Sequence, residues 1–487
     1  MSTTSRAAPE AGSPTPTRSS GDRWAAASVW AVLAAMTAMV LFHIARDGRN
    51  VPLAEDWNMV PPIAGEEPSF WSWVWAQNNE HRLPIARLVY LGVLWVARDF
   101  RAGMVLNTLI MAAVAAGLIL AARRLRGRTS VVDAFFPLVL LHLGHWANLL
   151  FGWQLQLVLT TAMAIGLLLV LVGARGRLSP GRIAAACGIT VLLPLGGGSA
   201  LPMVPAAIAA LLVVTWGPDV PRRSRQLALG ATVVTVVLSA LYFVAWHAAT
   251  WYPDNPGVGP TLEATAKVIT LAWGPAAVFQ SHRLAALLSA VVLGAVLVVL
   301  VRGLRGRPED RRSALVLLAL LGGLVLTAGA VGYGRAALVP TEGLPDRYVI
   351  VTVPLLVIVW FAWLRFAPVG LRFPGHLALL AVVVVLVPLN TAKGYDWRDW
   401  YDSGMTAVEQ DLREGTSIGV MVDRHSDFLM HWDDDALAAR MRMLRDEGIG
   451  PFADVQVADV QVRPLSELSP CRRTRLRSSS RALAAGR

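Results

Sequence analysis

The chain has 487 residues, of which 55% are apolar and only 16% are charged. Its apolar residues form repeated runs of about 20 residues with almost no charge, and each run is long enough to cross roughly 30 Å of hydrocarbon. This composition excludes a string of water-soluble domains and predicts an all-α polytopic membrane protein. The net charge of +11 does not indicate a nucleic-acid partner, because most arginines lie in short clusters between apolar runs and so orient membrane helices.

The N-terminal segment, residues 1–23, is rich in Ser, Thr, Pro and Gly, which predicts a disordered cytoplasmic tail. The first apolar run is too long for a typical signal-peptide core and ends in a poor cleavage site, so we expect it to remain as an anchor. Ten further runs bring the predicted number of membrane spans to eleven. The predicted spans are 24–44, 102–122, 131–146, 155–173, 182–199, 200–216, 225–247, 282–301, 313–333, 348–364 and 375–391.

Two other apolar stretches, 83–97 and 263–280, are long enough only for short or tilted spans. With eleven spans and a cytoplasmic N-terminus, all four arginine clusters face the cytoplasm, as positive charge in short loops should. Counting 83–97 as a span would move three of these clusters outside. We therefore predict that both stretches are helices lying along the outer membrane surface. The clusters are 123–128, 175–182, 222–225 and 302–312.

The same topology places residues 46–101, 248–281, 334–347 and the C-terminal part of the chain outside the cytoplasm. We predict a small extracytoplasmic α/β domain at 392–465, followed by a basic disordered tail at 466–487. In that domain "MTAVEQDLRE" and "DDDALAARMRMLRDEG" indicate helices, the second with acids at its start and Gly448 placed to end it. The segment "SIGVMVD" indicates a strand.

The chain contains only two lysines among its 44 basic residues and is rich in Ala, Val and Gly. This composition is typical of a GC-rich bacterial genome and predicts the bacterial cytoplasmic (inner) membrane as the location. The two cysteines, Cys187 and Cys471, lie in a predicted span and in the tail, so neither a disulfide framework nor a metal cluster is predicted. The "GGGS" at 196–199 lies between two spans and indicates a hairpin, because a phosphate-binding loop needs a strand before it.

Acidic and aromatic residues concentrate in the first predicted outer loop. Glu55 and Asp56 follow the first span, and the polar "QNNEHR" comes two dozen residues later, with four tryptophans around and between them. A carboxylate pair at a membrane surface can act as a general base or bind a cation. The alternative is that both acids are solvated loop residues near a helix start.

The acidic "EDW" soon after the first span, with a surface helix before the second, resembles the GT-C class of integral-membrane glycosyltransferases. The resemblance extends over most of the architecture, including about eleven spans and an extracytoplasmic C-terminal domain, although its sequence motif is only two residues wide. It implies a GT-C-like fold and transfer of a sugar from a polyprenyl-phosphate donor to an extracytoplasmic acceptor. The acceptor would be a cell-envelope glycan, lipid or protein, and the donor would arrive through the surrounding membrane lipids.

Such a transfer needs a base for the acceptor hydroxyl and positive charge for the departing phosphate. The resemblance does not distinguish Glu55 from Asp56 as the catalytic acid. We take Asp56 as the first candidate base, Glu55 as the second and Glu80 as a further carboxylate. His81 and Arg82 are candidate substrate-binding residues, although Glu80 and Arg82 could equally form an internal pair. Whether a divalent cation is needed as a cofactor is left open.

For the leaving phosphate, the sequence favours Arg347 with Tyr348 at the outer end of the 348–364 span, and Arg335 as a weaker candidate. The alternative is that these arginines only extend to the membrane interface. Trp153 and Gln154, in a turn between two spans, could stack on and hydrogen-bond a sugar. The alternative for that turn, including His142 and His145, is an aromatic belt with helix-to-helix hydrogen bonds.

The rival function is a transporter or flippase for a lipid-linked or polar solute. Transporters usually place ionisable residues near the bilayer midplane, in broken helices. In this chain the predicted spans are nearly free of acids, and charge lies at the outer rim. We therefore expect chemistry at the outer surface, in a cavity shared by Asp56 and Arg347.

Overall fold

The structure, a computed structural model, describes residues 20–172, 178–216, 220–249, 253–279, 282–429, 431 and 433–454. Within these residues it is almost entirely helical, and eight helices are long and apolar enough to cross a membrane. The prediction of an all-α polytopic membrane protein is therefore confirmed. The eight helices are Ser20–Asp47, Arg101–Arg126, Gly152–Leu171, Arg222–Tyr242, His282–Leu304, Pro308–Arg335, Asp346–Phe366 and Val369–Arg413.

Three of the eleven predicted spans, 131–146, 182–199 and 200–216, consist of shorter pieces. The first comprises the turn Val131–Ala134, the helix Phe135–Leu141 and the turn Leu143–His145. The other two correspond to Pro180–Gly196 and Leu201–Thr215, which are apolar but shorter than the eight long helices. The count of eleven therefore stays a prediction.

The remaining helices and strands are short. The two strands pair antiparallel in a tight hairpin whose turn contains Asn79 with φ +49°. The strands are Gln77–Asn78 and His81–Arg82, and the principal shorter helices are Ala54–Met59, Val60–Ile63, Phe70–Trp75, Pro84–Ala97, Trp146–Leu149, Val258–Thr270, Leu271–Trp273, Pro275–Phe279, Val339–Glu342, Ile418–His425, Asp434–Asp446 and Gly450–Asp454.

Both predicted surface segments are helical. Pro84–Ala97 has 14 residues and buries one face against the protein, including Tyr90. The segment predicted at 263–280 is broken after Trp273, where Gly274 has φ +104°. Asn390 bridges this break: its amide nitrogen donates to the Trp273 carbonyl at 2.8 Å, and its oxygen accepts from the Ala276 N–H at 3.0 Å. The orientation of both segments along a membrane surface stays a prediction.

The predicted strand "SIGVMVD" is wrong, because this segment forms the helix Ile418–His425. The residues it buries, Ile418, Met421, Val422 and His425, recur at the three- and four-residue spacing of one helix face. That face packs on the helix Asp434–Asp446, so tertiary packing overrides the strand preference of the valines and isoleucine. The C-terminal part of the described chain is therefore helical rather than α/β.

The other predicted boundaries are met in part. Asp433 caps the helix Asp434–Asp446 by accepting from the Ala436 N–H at 2.9 Å, and Gly448 follows that helix with φ +63°, as predicted. The predicted domain boundary at 391–392 lies inside the helix Val369–Arg413, which continues from the membrane domain into the C-terminal part. The first long helix begins at Ser20, so the end of the predicted N-terminal tail is helical, while residues 1–19 and the 466–487 tail lie outside the described residues.

The apolar core has two parts. The larger part fills the space between the long helices. The second part joins the end of the first long helix, the first outer loop, the helix Pro84–Ala97 and the helices after Tyr401. Because this second core contains both the outer loop and the C-terminal helices, the two form one packed layer at the same end of the molecule.

Topology can be tested by thiol labelling of intact cells, in a background where Cys187 and Cys471 are replaced by serine. We expect Glu66→Cys to react with an impermeant thiol reagent and Arg128→Cys to remain unlabelled, because positive charge keeps the 123–128 cluster inside. Both side chains are well exposed, which makes them suitable positions. Equal labelling at both positions, or labelling only at 128, would contradict the predicted orientation.

Candidate functional site

Asp56 is the most buried of the candidate acids, with 1% of its surface exposed. Its Oδ1 accepts from the Tyr90 hydroxyl at 2.9 Å and from the Trp153 N–H at 3.1 Å, while Oδ2 accepts from the Leu53 N–H at 3.4 Å. These contacts join the turn Ala54–Met59 to the surface helix and to the turn after residue 151. Asp56 is therefore placed to hold three segments together.

Burial raises the pKa of Asp56 to about 7, because water no longer solvates the charged carboxylate. The hydrogen bonds from Tyr90 and from the Leu53 and Trp153 N–H groups act in the opposite direction, while the charge of Glu55 adds to the increase. Burial also raises the pKa of Tyr90 well above its usual value, and the neighbouring Asp56 carboxylate adds to this. Glu55 itself is only half-buried.

Glu80 and His81 occupy the tight hairpin of the first outer loop. The Glu80 Oε1 and His81 Nε2 atoms are 3.6 Å apart, and both side chains are partly exposed. The second carboxylate oxygen of Glu80 and the Nδ1 of His81 are buried and have no hydrogen-bond partner among the described residues. Glu80 therefore has an acceptor oxygen available, whereas both oxygens of Asp56 are already bonded.

His81 connects the hairpin with the arginines at the outer helix ends. Burial lowers its pKa, the Glu80 charge raises it, and the charges of Arg335 and Arg347 lower it further. The structure thus brings together His81 and two residues that are more than 250 positions later in the chain. The "GGGS" segment forms the predicted hairpin and packs against His81, since a Cβ at Gly198 would collide with the His81 ring.

Tyr348 holds the two arginines in place. The Arg335 Nε donates to the Tyr348 hydroxyl at 2.8 Å. The guanidinium carbons of Arg335 and Arg347 each lie 5.7 Å from the centroid of the Tyr348 ring, which is within the range of a cation–π contact. Among the described residues no carboxylate or carbonyl pairs with Arg347. Its guanidinium donors are therefore available to an anion.

Arg82, predicted as a substrate-binding residue, has a different environment. It is 7% exposed, and its guanidinium donates to the carbonyls of Tyr242 at 3.0 Å, Trp75 at 2.8 Å and Val244 at 2.8 Å. These main-chain partners occupy all three of its nitrogens and leave little donor capacity for a phosphate. The alternative pairing of Glu80 with Arg82 is not formed, so Arg82 is a positioning residue for the hairpin.

Trp153 and Gln154 are also buried, with 1% and 3% of their surfaces exposed. The Trp153 ring packs against Tyr90 at a centroid distance of 6.5 Å, behind Asp56. Its indole nitrogen and the Gln154 Oε1 lack partners among the described residues. Trp153 therefore does not present an exposed platform for a sugar. His142 and His145 lie nearby and are fully enclosed, with ring centroids 4.5 Å apart.

The surroundings of Asp56 and those of Arg347 are linked through the short segments that follow the predicted 131–146 span. The turn Ala54–Met59, which carries Asp56, contacts Gly152–Gln154, while Trp146–Leu149 contacts Asp346–Tyr348, which carries Arg347. Asp56 and Arg347 therefore lie on two sides of one continuous stretch of chain. A cavity shared by both residues stays a prediction.

Two groups were missed by the sequence reasoning. His43 and Asp47 form a buried pair, with Nδ1 and Oδ2 3.0 Å apart, at the end of the first long helix. Their four-residue spacing on one helix face is a signal that could have identified them. Asn148 is completely buried, yet both polar atoms of its side chain lack a partner among the described residues; no sequence pattern indicates this.

Metal binding finds no support in the geometry. Among the residues that the structure describes, no group of three or more His, Cys, Asp or Glu side chains is arranged to hold a metal ion. The positive charge in the candidate site comes from Arg335 and Arg347, which lie around Tyr348.

Comparisons with family models, curated proteins and solved structures found no match for the chain.

The pH dependence of stability should report the environment of Asp56. Because its pKa is raised in the folded state, the folded protein holds this proton more tightly than the unfolded chain does, and the stability from this group falls as pH rises from about 4 to about 7. In Asp56→Asn this decline should be absent. Melting temperatures of both proteins, measured across that range in the same lipid, test this; parallel curves would contradict a raised pKa.

Proposed function

We propose that the protein is a GT-C-like glycosyltransferase of the bacterial cytoplasmic membrane, which moves a sugar from a polyprenyl-phosphate donor to an extracytoplasmic acceptor. One observation carries the proposal: Arg347, with no carboxylate or carbonyl partner among the described residues, lies with Arg335 around Tyr348 and close to Glu80 and His81. Arg335 ends the helix Pro308–Arg335, and Arg347 is near the start of the helix Asp346–Phe366. Two cations at such helix ends suit a lipid phosphate, which must remain at the membrane surface while its chain stays in hydrocarbon.

The geometry supports Glu80 as the base. Its buried Oε2 has no partner among the described residues, and its Oε1 lies 3.6 Å from the Nε2 of His81, on which the charges of Arg335 and Arg347 act. The acceptor oxygen attacks the anomeric carbon while its proton passes to Glu80. The bond between that carbon and the phosphate oxygen breaks, and the electron pair leaves with the phosphate, whose charge Arg347 and Arg335 stabilise.

Asp56 is better suited to positioning than to proton transfer. Both its oxygens are bonded, and 1% exposure leaves no route for an acceptor hydroxyl. By fixing the Trp153 N–H and the Tyr90 hydroxyl, it holds the outer loop against the turns that lead to Arg347. Glu55, half-buried and next to Asp56, remains the reserve candidate for the base.

Paired variants separate the roles of base and phosphate contact. Glu80→Gln should lower transfer by about 10²- to 10⁴-fold, since it cannot accept a proton, while donor affinity changes little. Arg347→Ala should weaken both donor affinity and transfer, because it removes a charge-assisted contact to phosphate. The measurements are release of polyprenyl phosphate and donor binding in nanodiscs, with polyprenyl-phosphate hexose as the probe.

Matched controls are Glu66→Gln, an exposed acid of the same loop, and Arg98→Ala, whose partner is Glu447 at 2.9 Å. Both should retain activity. Full activity in Glu80→Gln together with loss in Asp56→Asn would return the role of base to Asp56. Movement of the intact donor between leaflets without sugar transfer would favour the flippase instead.

A further inference from the structure

Two polar side chains in contacting segments near Arg347 have buried atoms without hydrogen-bond partners in the described part of the chain. Asn148 has no exposed surface, and neither its amide nitrogen nor its oxygen has a hydrogen-bond partner among the described residues. The Oδ1 of Asp346, the residue before Arg347, is likewise buried and unpartnered. Buried polar groups are nearly always paired in folded proteins. Two such side chains on adjoining turns therefore call for a partner that is not part of the chain.

The two turns are in contact. Trp146–Leu149, which carries Asn148, packs against Asp346–Tyr348, and it also packs against the long helix that carries Lys393. Lys393 and Arg347 are near enough to act on Asp346 through their charge. Asp346 thus adjoins the candidate phosphate contact in the chain and lies in a segment that contacts the one with Asn148.

We propose that Asn148 and Asp346 bind the hydroxyl groups of the donor's sugar, beside the Arg347 that binds its phosphate. This inference rests on the proposed function and names the part of the site that recognises the transferred group.

The chemistry of the two side chains favours a polyhydroxylated ligand. An amide both donates and accepts, and a carboxylate accepts, which matches the combined donor and acceptor character of sugar hydroxyls. A second phosphate would be repelled by Asp346. A metal ion would have too few ligands, since the described residues contain no group of three potential metal ligands.

Binding also requires a movement. Because Asn148 is completely buried, a sugar reaches it only when the turn Trp146–Leu149 moves away from Asp346–Tyr348. The segment Trp146–Leu149 is short and is flanked by the short turns Leu143–His145 and Gly152–Gln154, whereas Asp346–Tyr348 begins the long helix Asp346–Phe366. The free protein therefore keeps an unpaired amide that the bound sugar satisfies.

The unpaired amide of Asn148 costs free energy in the free protein. Replacing it should therefore change the stability of the protein and its preference for the sugar in opposite directions. Asn148→Leu replaces an unpaired amide by an apolar group of similar shape, so it should raise the melting temperature of the free protein. It should also reduce the preference for polyprenyl-phosphate hexose over polyprenyl phosphate, by about tenfold. Mannosyl and glucosyl lipids are titrated separately against the full-length protein in nanodiscs.

Asn390→Leu is the matched control. Asn390 is 1% exposed, but both ends of its amide are hydrogen-bonded, so this change should lower the melting temperature and leave the lipid preference unchanged. Asp346→Asn is a second variant. It should also reduce the preference for the sugar, yet bind polyprenyl phosphate at least as tightly, because a negative charge beside Arg347 has been removed.

The inference is overturned if Asn148→Leu melts lower, as Asn390→Leu does, or if both Asn148→Leu and Asp346→Asn keep the wild-type lipid preference. Should the wild type transfer hexose while these variants retain that preference, the sugar subsite fails and the proposed function stands. Should the wild type bind neither lipid, the proposed function fails and the subsite fails with it.

Discussion

The loop between the first two long helices depends on two buried arginines that bind main-chain carbonyls. Residues 73–82 form no long helix, so their carbonyls need partners that the local backbone cannot supply. Arg87 donates to the carbonyls of Trp73 and Ala76, and Arg82 donates to Trp75 and to the end of the helix Arg222–Tyr242. Burial lowers the pKa of Arg87 to about 10, which still leaves it charged at neutral pH. These contacts fix the hairpin with Glu80 and His81 at a defined place above the helix ends.

Hydropathy was sufficient to predict most of the fold, because a long apolar helix in hydrocarbon satisfies its own backbone and needs no partner from elsewhere. The helix Asp434–Asp446 was also predictable, since its cap and terminating glycine are local signals. The helix Ile418–His425 was not, because its valines favour a strand and only packing decides otherwise. No helix end marks the boundary predicted at 391–392, because polarity changes there but nothing in the local sequence ends the helix.

Residue types in the site were predictable, but their roles depended on partners far away in the chain. The sequence makes Arg82 a reasonable phosphate contact. In the structure, however, its guanidinium donates to the carbonyls of Tyr242 and Val244, about 160 positions later in the chain. Arg347 could not be distinguished from Arg82 by sequence, since both adjoin a predicted helix end. The difference is that an aromatic ring holds Arg347 while main-chain oxygens saturate Arg82. An arginine held by a ring keeps its hydrogen-bond donors for a ligand.

Burial differs between two acids of the first loop, Asp56 and Glu80, and this difference separates their proposed roles. Asp56 lies behind Tyr90 and Trp153, where the cost of charging it raises its pKa to about 7 and where an acceptor cannot reach it. Glu80 lies on the hairpin, with one oxygen unpaired and two arginines nearby. Proton transfer requires contact between the base and the acceptor hydroxyl before any matching of pKa values can matter. The partly exposed side chain of Glu80 therefore supports its proposed role as the base, and the bonded oxygens of Asp56 support its proposed positioning role.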